Sequence, residues 1–227
     1  KLTADWRAKH KNVEPAADLL KRILAERRSK WEEGQLAKYT EAGKEPPTVW
    51  QQRYQETIDV DSHSLPNLPK GWGWAKVDQV GEVQLGRQRS PQHHSGTHMR
   101  PYLRVANVYE DRIETSDVKE MNFTPAEFET FRLEHGDILL NEGQSLEWVG
   151  RPAMYRGEVP GACFQNPLVR FRAVPPLVPL FALYVFRAYL HNRRFQKLAR
   201  WTVNIAHLGC DRFCQVEFPL PPVEEQA

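Results

Sequence analysis

Along residues 15–39 the apolar positions Ala16, Leu19, Leu20, Ile23, Leu24, Trp31 and Ala37 recur near a 3.6-residue period with Arg, Lys and Glu between them. That spacing predicts an amphipathic helix with Pro15 in its first turn. The stripe fades after Trp31. The stretch EAGKEPPTVWQQRYQETIDVDSHSLPNLPKGW that follows is polar and proline-bearing, which predicts a linker and places the main domain boundary near Leu65. Beyond it the texture changes to short apolar runs punctuated by Gly, Pro and charge. YLRVANV alternates Leu103 and Val105 with small or polar residues, GDILLNE is a short apolar run behind a Gly-Asp turn, and LVRFRAV alternates Val169, Phe171 and Ala173 with Arg170 and Arg172. All three predict strands. TPAEFETFRL carries Thr124 and Glu127 at the spacing of a capping box, with Phe128 and Phe131 on one helix face. PLFALYVFRAYLHNRRFQKLARW predicts a long helix with Pro179 near its start. The expectation is a mixed α/β (α+β) body of about 150 residues, an ordinary size for one domain, preceded by an amphipathic helix and a linker.

Composition narrows the function classes without choosing among them. A chain of 227 residues, 41% hydrophobic and 26% charged, has the make-up of a globular protein. Its longest apolar run, LVPLFALYVF, stops at Arg187 and is far short of the roughly 20 residues a membrane helix needs. The charged N-terminus KLTADWRAKHKNVEP has no apolar signal core. Cys163, Cys210 and Cys214 are an odd number and make no disulfide framework, which favours a reducing, cytoplasmic setting. Net charge is only +2, so the total offers no argument for a nucleic-acid partner. The distribution is more informative: from Leu65 onward fifteen Arg and four Lys face eighteen acids, and eleven of those acids lie between Glu110 and Glu147. The bases crowd elsewhere, as Arg87, Arg89, Arg100 and Arg104, as Arg151, Arg156, Arg170 and Arg172, and as Arg187, Arg193, Arg194, Lys197 and Arg200.

Several chemical signals dissolve on their spacing. His207, Cys210 and Cys214 in HLGCDRFC do not have the spacing of a zinc knuckle, and His93, His94 and His98 lie in a turn-rich loop, so no metal site is expected. Asn166-Pro167-Leu168-Val169 departs from the Asn-Pro-Pro-aromatic motif of amino-methyltransferases, and no glycine-rich loop follows a strand to hold a methyl donor. Asp137 and Glu142 are the one pair compatible with a metal-dependent nuclease, although Gly136-Asp137 is explained by a turn. No catalytic residue and no cofactor are expected. What remains is a set of polar side chains on predicted loops beside the basic clusters. Arginine pairs with guanine and Asn or Gln with adenine in the major groove, whereas Ser, Thr and basic side chains hold phosphates. Arg104, Asn107, Gln144, Ser145, Thr202 and Asn204 are the candidates for base contact, and Arg87, Arg89, Arg151, Arg172 and Lys197 the candidates for phosphate contact.

Five ordered segments carry a family resemblance: LPKGWGWAKVDQVGEVQLGRQ, PYLRVANVYEDRIETSDVKEM, FRLEHGDILLNEGQS, VGRPAMYRGEVPGACFQNPLVRFR and PLPPVEEQ. Together they resemble one target-recognition domain, with its flanks, of the specificity subunit of a Type I restriction-modification system. The resemblance implies residues 1–64 as a helical segment and linker following a conserved spacer, 65–217 as the target-recognition domain, and 218–227 as the start of a distal spacer helix. Pro221 and Pro222 would lead into that helix, with Glu224, Glu225 and Gln226 at its positive end. It also implies the partners: double-stranded DNA, methyltransferase subunits that modify adenine, and a restriction subunit that translocates. Two other readings stay open, an interaction module that docks partners without touching DNA, and the recognition end of a combined restriction-modification enzyme.

Overall fold

The computed structural model describes residues 3–226. The chain opens with α1 (Ala4–Lys9) and α2 (Ala16–Glu41), followed by a single 3-10 turn at Trp50–Arg53. The body then runs through β1 (Gly73–Lys76), α3 (Val77–Val80), β2 (Gly81–Leu85), β3 (Met99–Leu103), β4 (Val108–Tyr109), β5 (Arg112–Ile113) and β6 (Lys119–Asn122). Next come α4 (Pro125–Phe131), β7 (Ile138–Asn141), β8 (Gly143–Gln144), β9 (Pro152–Met154), β10 (Cys163–Phe164) and β11 (Leu168–Ala173). It closes with α5 (Pro179–His191), α6 (Arg194–Leu198), β12 (Arg200–Trp201), β13 (Ala206–His207), α7 (Cys210–Cys214) and β14 (Glu217–Leu220). This is the mixed α+β body that the apolar patterning predicts.

A four-stranded antiparallel sheet in the order β2-β11-β7-β9 lies at the centre. On one face Ile138, Leu140, Val169 and Phe171 pack with α2 and α5. On the other, Leu139 and Leu168 pack with Val108, Ile113 and Phe164 from the β4-β5 hairpin and from the mixed sheet β10-β3-β6. Covering both faces explains why β7 is apolar throughout. It also corrects the alternation expected in β11: Arg170 does not face water but is 5% exposed. Its guanidinium lies over the Phe164 ring at 5.4 Å and donates to the carbonyls of Arg132 (3.0 Å) and Thr130 (3.3 Å). Gly81 sets the distance between β2 and this sheet's interior, since a Cβ there would fall 2.0 Å from the Phe171 ring.

The predicted first helix is present, and its leading half is part of the main core: Ala16, Leu19 and Ile23 pack with Ala75, Val77, Phe218 and Leu220. The boundary expected near Leu65 therefore does not separate two cores. The polar linker folds back along α2, where Trp31 meets the rings of Trp50 (5.8 Å) and Tyr54 (5.3 Å). Nor is β14 a flank, because it pairs with β1 from Gly73↔Leu220 to Lys76↔Glu217. The capping box on α4 is formed as its spacing predicts, with Glu127 N–H donating to Thr124 Oγ1 and Thr124 N–H to Glu127 Oε2.

One expectation fails for an identifiable reason. The long helix predicted to run to Trp201 is broken after His191, where Arg193 takes a left-handed conformation (φ 62°) and Asn192 Oδ1 accepts from Arg194 N–H. The break turns Phe195 inward onto Phe186, Tyr189 and Phe213. At the C-terminal end, Glu225 closes a 3-10 turn, Val223–Glu225, and both it and Gln226 are buried. Glu225 accepts from Trp72 Nε1 (2.7 Å) and pairs with Arg7 of α1, while Gln226 Oε1 accepts from Val178 N–H.

Candidate nucleic-acid interface

Leu85 of β2 and Leu140 of β7 both register with Val169 of β11, so β2 and β7 run parallel on either side of it and leave the sheet at one edge. The loops that follow them, residues 86–98 and 142–148, begin at that edge. A third excursion joins them: β8 pairs with β13, and β13 with β12, in a three-stranded antiparallel ribbon. Glu142 fastens the ribbon to the body. Its backbone N–H donates to Pro167 O and its carbonyl accepts from Leu208 N–H (2.8 Å). Its carboxylate accepts from Gly209 N–H (3.0 Å) and lies 3.2 Å from His207 Nδ1.

The ribbon brings together five of the eleven candidates. Gln144 registers with Ala206, which places Ser145 opposite the far end of the hairpin. Trp201 registers with Ala206 as well, leaving Thr202, Val203, Asn204 and Ile205 as the exposed tip. Lys197 on α6 leads directly into β12. Around them stand Arg193 and Arg200, both exposed, and none of these three cations has a carboxylate partner among the described residues. The adjoining 145–148 turn presents Leu146 and Trp148, which with Arg193 and Gln196 line a shallow groove. Arg89 lies on the separate 86–98 excursion, exposed, with Nε 3.1 Å from His94 Nε2.

The other five candidates make contacts within the fold. Arg87 is buried, donates to Asn122 O (2.7 Å), pairs with Glu127 (2.7 Å) and covers the Phe123 ring. Arg104 pairs with Asp117 (2.6 Å), and Asn107 is 1% exposed. Asn107 Oδ1 accepts from Arg104 N–H, and its Nδ2 donates to the carbonyls of Glu114 and Asp117. Arg151 is held between Tyr109 and Trp148 and donates to Val108 O, and burial holds its pKa below the ordinary arginine value. Arg172 makes a two-pronged pair with the buried Asp137 (2.7 and 2.8 Å), whose hydrogen bonds raise the guanidinium's pKa. A cation whose charge is already neutralised by a nearby carboxylate has little left for a phosphate. The nuclease pair comes apart for the same reason: Asp137 and Glu142 flank opposite ends of β7, one on Arg172 and the other in the ribbon clamp.

Sequence reasoning missed Trp201, Val203 and Ile205, whose exposure is set by a hairpin too short to register as strands. The detectable signal was a valine at a turn tip, where Gly, Asn, Asp and Pro are the usual occupants.

No family model matches the chain. A curated type I restriction enzyme specificity subunit, MjaX of Methanocaldococcus jannaschii, is 25% identical over 169 residues, covering 71% of this chain and 38% of its own length. The solved HsdS subunit from Thermoanaerobacter tengcongensis superposes with a TM-score of 0.51 at 18% identity, covering 93% of this chain and 46% of that one. In sequence and fold the chain is similar to type I specificity subunits. It spans less than half the length of either protein, and over 93% of its residues it shares the fold of the solved HsdS subunit. On that fold, the ribbon and the two loops at the sheet edge present polar, basic and apolar side chains to solvent.

Proposed function

We propose that this chain is one target-recognition half of a type I specificity subunit and that it selects a short stretch of duplex DNA with the β8-β13-β12 ribbon and the neighbouring 86–98 loop. One observation carries the reading: the ribbon gathers Gln144, Ser145, Thr202 and Asn204 beside Arg193, Lys197 and Arg200, with none of those cations neutralised by a carboxylate among the described residues. Asn204 offers a paired donor and acceptor for a base edge, Gln144 offers its Nε2 donor while its Oε1 accepts from Ser145 N–H, and the cations supply the non-specific attraction to phosphate. On this reading Arg89 joins the phosphate contacts from the adjacent loop. The chain contributes sequence choice and position, methyltransferase subunits contribute the adenine chemistry, and a restriction subunit contributes translocation and cutting. The target base would leave the stack to enter the methyltransferase pocket, so no nucleophile is needed on this surface. No helix among the described residues is long and apolar enough to cross a membrane.

The test is selection from a randomised duplex library at low salt, with and without a methyltransferase subunit, followed by salt titration of variants. Lys197→Ala and Arg200→Ala should each weaken all sequences alike and lower the salt slope by about one. Gln144→Ala and Asn204→Ala should relax preference at single positions, costing about 1–3 kcal/mol there. Failure of the wild type to enrich any motif, with the methyltransferase subunit present or absent, would remove the DNA reading.

A further inference from the structure

The tip of the ribbon carries a residue that its local fold does not require. Val203 is 95% exposed, the highest of any large apolar side chain among the described residues, and Trp201 and Ile205 beside it are 59% and 45% exposed. The turn is closed by other groups: Thr202 N–H and Oγ1–H both donate to Ile205 O, at 3.0 and 3.2 Å. A β-branched residue adds nothing to such a turn. An apolar group at a projecting tip gains nothing from the chain's own core, so its use lies in contact with another molecule. The neck of the ribbon says which kind. Arg193, Lys197 and Arg200 outnumber the acid in the neighbouring loop, Glu147, and make it cationic.

Resting on the DNA reading above, we propose that Val203 is a specificity-determining residue that packs against the C5 methyl of a thymine in the major groove. The two-stranded β12-β13 hairpin that carries Val203 fits that groove, roughly 12 Å wide, but not the minor groove of roughly 6 Å, and only the major groove displays the thymine methyl. Asn204 and Thr202, on either side of Val203 in the same turn, then face neighbouring base edges, and the neck cations lie toward the flanking phosphates.

The experiment uses the half-site selected by the wild-type chain, with the methyltransferase subunit included if retention requires it. Each thymine is replaced singly by deoxyuridine, and affinity is measured for wild type and Val203→Ala. At one thymine, loss of the methyl should weaken wild type about fourfold, the value of one buried methyl-sized group. Val203→Ala should weaken binding to the thymine duplex comparably, with no further loss on the deoxyuridine duplex. Its thermal midpoint should match wild type because the side chain has no packing to lose. Independent, multiplying losses at every thymine, or a half-site insensitive to deoxyuridine, would overturn the assignment while leaving DNA selection intact. Unchanged DNA selection with weaker association of the methyltransferase subunit would make the tip a protein contact instead. A wild-type chain that enriches no motif would take the DNA reading and this assignment down together.

Discussion

Asn107 and Asn204 show how differently one side chain can be used. Asn107 spends both ends of its amide internally, tying the start of a 3-10 turn to the carbonyls of Glu114 and Asp117. Asn204 stands in solvent at the ribbon tip. Asn107→Ala should therefore cost about 1–3 kcal/mol in urea unfolding, because the buried amide ties down three backbone groups that lose their bond, whereas Asn204→Ala should stay within about 0.5 kcal/mol. Equal losses in the two variants would contradict the assignment. The two asparagines look alike in the sequence, each among apolar neighbours beside basic residues. What separates them is whether the surrounding chain supplies donors and acceptors, and that is decided by tertiary packing. The same holds for Arg87, Arg104, Arg151 and Arg172 against Lys197: their partners Glu127, Asp117, Val108 O and Asp137 are between 13 and 43 residues away.

Among the elements, those with strong local signals were legible and those without were not. Helix α2 announces itself by period and by Pro15, α4 by Thr124 and Glu127, and β7 and β11 by their apolar runs. The ribbon strands are two residues each and have no period to detect. Helix α4 also carries a pH dependence. Burial works to raise the Glu127 carboxyl, but the Thr124 backbone N–H and the Arg87 guanidinium outweigh it and hold the pKa below the ordinary glutamate value. A depressed folded-state pKa means stability that is fully present above the unfolded value and lost as pH falls through the folded one. Wild type should thus lose more stability than Glu127→Gln on acidification from the ordinary glutamate range downward. Parallel pH profiles of the thermal midpoint in the two proteins would rule out the linkage.

For the whole molecule, the expected division at Leu65 gives way to one body whose two ends meet. The polar composition of 42–72 suggests a tether, yet that segment packs along α2, and what closes the structure is a contact between Arg7, Trp72 and Glu225 that spans almost the entire chain. Glu225→Ala strips the Trp72 N–H of its acceptor and leaves Arg7 unpaired, and should lower unfolding free energy by about 1–3 kcal/mol. An unchanged denaturant midpoint would show that the contact holds nothing. The geometry of that closure also determines how the fold bears a load. With α1 and the last turn side by side, tension applied through the two ends pulls Gly73 and Leu220 apart before any other rung of the β1-β14 pair. Rungs opened one at a time resist far less than a ladder sheared along its whole length, so the β1-β14 pair unzips from its Gly73-Leu220 end.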